Sequence, residues 1–182
     1  MRRAAFAVSF MLVSGSLALA GGTEVTLDSL KSTTPAAWKA VPGKMPFRLY
    51  TFTLPKAEGD DKDAQLVITS FGKGGGGGYK ENLVRWQGMF LPPKGKAIED
   101  VTKTEKFKVG AVEVTVVDIE GTFKDKFPPF DPAAKTTLRP EWRRINVIFA
   151  SEDGPYFMYI IGPQKTVASH KDSFEKWLKG FK

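Results

Sequence analysis

The sequence predicts an α+β domain in which an antiparallel β-sheet lies between two amphipathic helices. Three observations predict it. Short apolar runs recur between tight-turn signals such as Gly110 and Asp153-Gly154, a rhythm that favours antiparallel neighbours. The runs Leu66-Val67-Ile68 and Phe157 to Ile161 are apolar on both faces and need cover on each side. Two other stretches carry their apolar residues at helical spacing, and could supply that cover, one per face.

The chain opens with a leader. Arg2 and Arg3 precede an uncharged stretch from Ala4 to Leu19, and Ala18-Leu19-Ala20 places small residues where a signal peptidase reads them. The expectation is export by the general secretory route, cleavage near Ala20, and a single domain over 21–182 that works in the periplasm or outside the cell. A stable span needs about 20 consecutive apolar residues. This stretch is shorter and rich in Ala, Ser and Gly, so no membrane span is expected after cleavage. The absence of cysteine excludes disulfides, thiol chemistry, lipid attachment through Cys and Cys-type zinc sites.

Within the domain, Trp38 is followed by a turn-rich stretch. Phe47 to Leu54 reads as a strand ended by Pro55, and Lys56 to Asp63 as a charged turn. Ala64 to Phe71 reads as a second strand. Gly72 to Gly78 is a glycine loop broken only by Lys73. Tyr79 to Phe90 reads as a helix, because Tyr79, Leu83, Trp86 and Phe90 make one stripe, and Pro92-Pro93 stops it. Val101 to Val109 and Val112 to Glu120 read as a hairpin around Gly110. Gly121 to Glu141, with Phe123, Phe127, Phe130 and several prolines, reads as a long irregular segment. Arg143 to Ser151 and Tyr156 to Ile161 flank the Asp153-Gly154 turn. The last helix starts between Pro163 and Thr166 and carries Phe174, Trp177, Leu178 and Phe181 on one face. Its closing lysines suit the helix dipole.

The glycine loop is the most unusual feature. It formally fits G-x-G-x-x-G between a strand and a helix, yet any glycine run does. No parallel βαβ unit follows, and no Gly-Lys-Ser/Thr appears, so neither dinucleotide nor P-loop chemistry is expected. Backbone N–H groups there could hold a small anion. The candidate ligand-binding residues are Lys73, Gly74, Gly76, Gly78, Asn82 and Arg85. Phe127, Phe130 and Arg139 mix aromatic and basic character in a long segment and are candidates for contact with a protein partner. Nucleic acid is not an expected partner for an exported protein.

Catalytic signals are sparse. His170 is the only histidine and sits beside Ser169 and Asp172 on one helix, an order that does not build a nucleophile and base. Asp118 and Glu120 share a strand face and are the carboxylate pair an enzyme would use. Asp60, Asp61 and Asp63 lack EF-hand spacing. No metal or cofactor motif is found. The formal net charge is +7, of which Arg2 and Arg3 account for two, leaving about +5 on 21–182 with the lysines scattered.

Phe71-Gly72 through Asn82-Leu83-Val84-Arg85-Trp86, Asp153-Gly154-Pro155-Tyr156-Phe157, Gly162-Pro163 and Lys165-Thr166-Val167 resemble a set of exported proteins of unknown function from planctomycete-type bacteria. Trp38, Phe47-Arg48 and Leu54-Pro55 fit the start of the same pattern. In strand order the chain is also similar to the Mog1/PsbP-like fold, an α-β-α sandwich. That resemblance implies a binding or assembly module and transfers no site residue. The expected function is non-enzymatic binding of an envelope protein or a small anion. The alternatives are a carboxylate-dependent hydrolase and a binder of anionic polymer or lipid surface.

Overall fold

The computed structural model describes residues 21–182 apart from positions 44, 129, 130 and 132. The expected leader and Phe130 lie outside the described residues. Among the described residues, alternating apolar positions and tight turns set out ten strands: β1 (Glu24–Leu27), β2 (Leu30–Thr33), β3 (Lys39–Ala40), β4 (Arg48–Leu54), β5 (Ala64–Ser70), β6 (Phe90–Leu91), β7 (Thr102–Val109), β8 (Val112–Lys126), β9 (Thr136–Ser151) and β10 (Gly154–Pro163). Helix α1 (Tyr79–Gln87) lies between β5 and β6, and α2 (Gln164–Lys179) follows β10. The large sheet runs β3-β4-β5-β10-β9-β8-β6, with β7 also on β8, and β1-β2 form a separate hairpin. Every pairing among these strands is antiparallel. The expected α+β class with a mainly antiparallel sheet is what the chain forms.

Three elements differ from the sequence reading. The hairpin β1-β2 was not anticipated. Its Val25 and Leu27 are fully buried. Helix α1 ends at Gln87, and Phe90 instead opens β6. Gly121 to Glu141 is mostly strand, not irregular: β8 and β9 continue as a two-stranded arm, with pairs from Phe123↔Arg139 to Lys126↔Thr136. The register shifts between Gly121 and Phe123. Gly121 has φ +153, and a β-carbon there would sit 2.6 Å from the Leu91 carbonyl oxygen. Glycine and Pro140 read as breakers in sequence, but here they mark a bulge that bends the ladder without ending it.

Two apolar clusters use alternate residues of the strands. The first joins Phe52, Leu54, Leu66, Ile68, Val114, Val147, Phe149, Met158 and Ile160 to Phe174, Trp177 and Leu178 of α2, with Trp38 and Phe181. The second joins Val117, Ile119 and Phe157 to Trp86 of α1 and to Phe90. Each fully buried large side chain contributes roughly 1.5–3 kcal/mol. Among the described residues the indole N–H of Trp177 has no hydrogen-bond partner, which costs about 1–3 kcal/mol. Burying a ring of about 200 Å² returns roughly 5 kcal/mol, so apolar packing wins at that position.

Polar side chains fix the edges. Asp60 accepts from the Thr166 amide (2.9 Å) and hydroxyl (2.6 Å), which satisfies the first turn of α2. The preceding residue, Pro163, makes no side-chain cap there. His170 is held at both nitrogens: Trp38 Nε1 donates to Nδ1 (3.2 Å) and Nε2 lies 2.8 Å from the Pro55 carbonyl. A neutral ring with its proton on Nε2 satisfies both contacts.

The β1-β2 turn is locked to the β9-β10 turn through Asp28. Its carboxylate accepts from Tyr156 Oη (2.6 Å) and from the Ser151 hydroxyl. Burial, and then this hydrogen bond, push the Tyr156 phenol up to about 12. The neutral phenol is therefore the form the fold favours. Its contribution is complete below the ordinary tyrosine pKa of about 10 and is lost as pH rises through about 12. Chemical denaturation across that window is expected to show a steeper alkaline loss of stability in the parent than in Tyr156→Phe. Identical slopes would remove the lock from the alkaline response.

Candidate functional site

The glycine loop leads from β5 into α1, and its geometry is set by what lies against it. A β-carbon on Gly76 would run into the Phe157 ring, and one on Gly75 would fall 2.5 Å from the Phe71 carbonyl oxygen. Across the loop, a β-carbon on Gly154 would meet the backbone of Gly72 at 2.6 Å. Gly72, Gly74, Gly76 and Gly77 all have positive φ, from +74 to +82, the region that favours glycine. The run thus serves close packing of backbone on β10 and its turn.

Asn82 organises this loop. It is buried, and its Nδ2 lies 2.9, 3.2 and 2.9 Å from the carbonyls of Gly76, Gly77 and Gly78. Its Oδ1 accepts from Arg85. Asn82 therefore faces the loop carbonyls with its donors, and Arg85 braces it from the next turn of α1. The Glu81 carboxylate folds back over the helix start, one oxygen lying 2.8 Å from where a Gly78 β-carbon would be. A negative charge already occupies the positive end of the helix dipole, so the loop is poorly suited to an anion. Lys73 and Gly74 are exposed beside it.

Next to the loop lies an apolar patch that sequence reasoning missed. Phe47 is 61% exposed and Phe71 44%, with their rings 5.2 Å apart. Met45 and Leu49, which flank Phe47 in the chain, are exposed as well. Phe71 also meets Phe157 edge-on at 6.0 Å. Phe47 has φ +63, a conformation that costs a bulky side chain about 1–2 kcal/mol. In the sequence, Phe47 and Leu49 alternate with Tyr50, Phe52 and Leu54 and so fall on the opposite face from them. That was the available signal.

The remaining candidates divide. Arg139 pairs with Asp125 at 3.2 Å and lies over Trp142 at 5.9 Å, so it serves the arm. Phe127 is 80% exposed near the arm's tip. The structure does not bring Arg139 and Phe127 together with the glycine loop residues in one pocket. Asp118, one of the two carboxylates an enzyme would use, is buried. It accepts from Arg143 Nε (2.8 Å) and Nη2 (2.5 Å), with Lys171 at 3.7 Å. That fork holds Arg143 above its ordinary value. Glu120 accepts from Gln164 at 3.0 Å. Among the described residues no cluster of three or more His, Asp or Glu side chains has metal-binding geometry.

A second arginine stands apart. Arg144 of β9 lies over the Tyr159 ring at 3.9 Å and donates from Nε to Asn146 Oδ1 at 2.7 Å. Trp142, Arg144, Asn146 and Ile148 alternate along β9, so Arg144 and Asn146 share a face with two apolar neighbours.

No family model matches the chain, and no curated protein matches it in sequence. Among solved structures, the chain is similar to that of cyanobacterial PsbP (CyanoP) from Synechocystis sp. PCC 6803, at 11% identity and a TM-score of 0.44, over 92% of this chain and 95% of that one. Nothing about activity, ligand or partner passes through that likeness. Among the described residues, no helix is long and apolar enough to cross a membrane.

Steric need and positive φ can be separated by substitution. Gly74 has φ +77 and open space where a β-carbon would point, whereas Gly76 faces the Phe157 ring. Gly74→Ala is expected to cost about 1 kcal/mol from backbone strain. Gly76→Ala is expected to cost about 2–4 kcal/mol from strain plus overpacking. Urea unfolding midpoints check this, and equal losses at the two positions would refute the packing account.

Proposed function

We propose that this chain is an exported, non-enzymatic binding module of α-β-α build, working in the periplasm or outside the cell. Its protein partner docks on the Phe47–Phe71 patch beside the glycine loop. The observation that carries this reading is Phe47: a bulky ring held 61% exposed, at φ +63, against phenylalanine's preference for burial and for negative φ. Exposed clusters of aromatic and Met side chains are the usual cores of protein interfaces. The close-packed glycine loop keeps Phe71 in place, which gives the patch a rigid base and limits the ordering cost of binding.

A hydrolase using Asp118 and Glu120 is the weaker reading. Asp118 is neutralised by Arg143 and Lys171, and a carboxylate so engaged is a poor acid or base.

Phe47→Gly removes both the ring and the strain, so the thermal midpoint is expected to stay level or rise. A photo-crosslinking side chain at Leu49, in cells that produce the protein, is expected to give a discrete adduct with a different protein. Combining that probe with Phe47→Gly and Phe71→Ser should abolish the adduct while the circular dichroism spectrum is kept. An adduct that persists in the combined variant would overturn the proposed surface.

A further inference from the structure

The end of α1 away from the glycine loop borders a cavity of about 400 Å³. It is lined by Met89, Phe123, Lys124, Lys126, Thr136 and Arg144 together with Gly88, and no lining residue is acidic. Three cationic side chains therefore share one opening. The other two arginines of β9 each have a carboxylate: Arg139 pairs with Asp125, and Arg143 with Asp118. Arg144 makes no ion pair among the described residues. Its Nε donates to Asn146, its Nη1 lies 3.2 Å from the Met89 sulfur, and its guanidinium covers Tyr159. These neighbours orient the group without neutralising it. Desolvation pulls its pKa down to about 10, Tyr159 opposes the shift, and Arg85 adds to it by like-charge repulsion.

A cation kept in such surroundings is costly unless a counter-charge arrives. The C-terminal end of α1 offers only about half a negative charge, less than the guanidinium alone carries. A guanidinium fork beside an ammonium group matches phosphate oxygens, and the Thr136 hydroxyl adds a donor. Phe123, stacked on Trp142 at 5.6 Å, and Met89 give the cavity an apolar wall. A volume of this size suits a small molecule.

We propose that this cavity binds a small phosphate monoester, with Arg144 and Lys124 taking the dianionic phosphate and Phe123 and Met89 contacting its organic body. This site is separate from the Phe47–Phe71 patch, and either can fail without the other.

The test is isothermal titration of the purified protein with phenyl phosphate, inorganic phosphate and phenyl sulfate, above the second phosphate pKa of about 6. Phenyl phosphate is expected to bind saturably and more tightly than inorganic phosphate. Phenyl sulfate, of the same shape with one charge fewer, is expected to bind roughly tenfold more weakly. Arg144→Gln and Lys124→Gln should each weaken phenyl phosphate by about tenfold or more, while Lys80→Gln at the other end of α1 leaves it unchanged. Lys124→Gln keeps the test decisive should Arg144→Gln fail to fold. The proposal is overturned by non-saturable heats, by equal affinity for phenyl sulfate, or by Lys124→Gln binding like the parent.

Discussion

The ladder between β8 and β9 is the constraint on which the rest of the molecule depends. The two strands have 15 and 16 residues, well above the usual five or six. Their length lets one pair of strands do three jobs. The first half carries alternate apolar residues into both clusters. The middle brings Asp118 within reach of Arg143. Beyond the bulge at Gly121, the same pair projects the arm that walls the basic cavity. A one-residue slip in this register would send every one of these side chains to the wrong face.

Much of this frame was legible in the sequence because periodicity and turn chemistry are local. The turns at Gly110 and Asp153-Gly154, the strands β7 and β10 and the last helix form close to where they are expected, while β8 and β9 run well past the expected Glu120 and Arg143 into the arm. The arm was not legible. Gly121 and Pro140 signal a break to any local reading, and only the partner strand shows that they form a bulge. The hairpin β1-β2 escaped because four-residue strands carry too little alternation to stand out from a polar start.

The site was harder still. The glycine run stood out in sequence, but its meaning depends on Phe157 and Gly154, about eighty residues later in the chain. Composition left a small-anion contact open there, and the structure shows a closely packed loop braced by Asn82. Asn82 and Arg85, candidates for a ligand in the sequence, are engaged with the loop and with each other. Asp118 looked available because a strand pattern cannot reveal that Arg143, on the neighbouring strand, meets it with both fork nitrogens. Arg144 could not be told from Arg139 and Arg143 on the same strand until those two were seen to pair with carboxylates and Arg144 was seen, among the described residues, to have none.

The first hairpin governs how the fold is reached. Ser32 of β2 donates to the Trp177 carbonyl of α2 at 2.8 Å, and Val25 and Leu27 share a cluster with that helix. The earliest strands thus cannot bury their apolar side until an element some 145 positions later has arrived. Closure over so long a stretch of chain slows folding relative to topologies built from local contacts. The β1-β2 hairpin and α2 therefore gain their shared cover together, and neither is complete without the other.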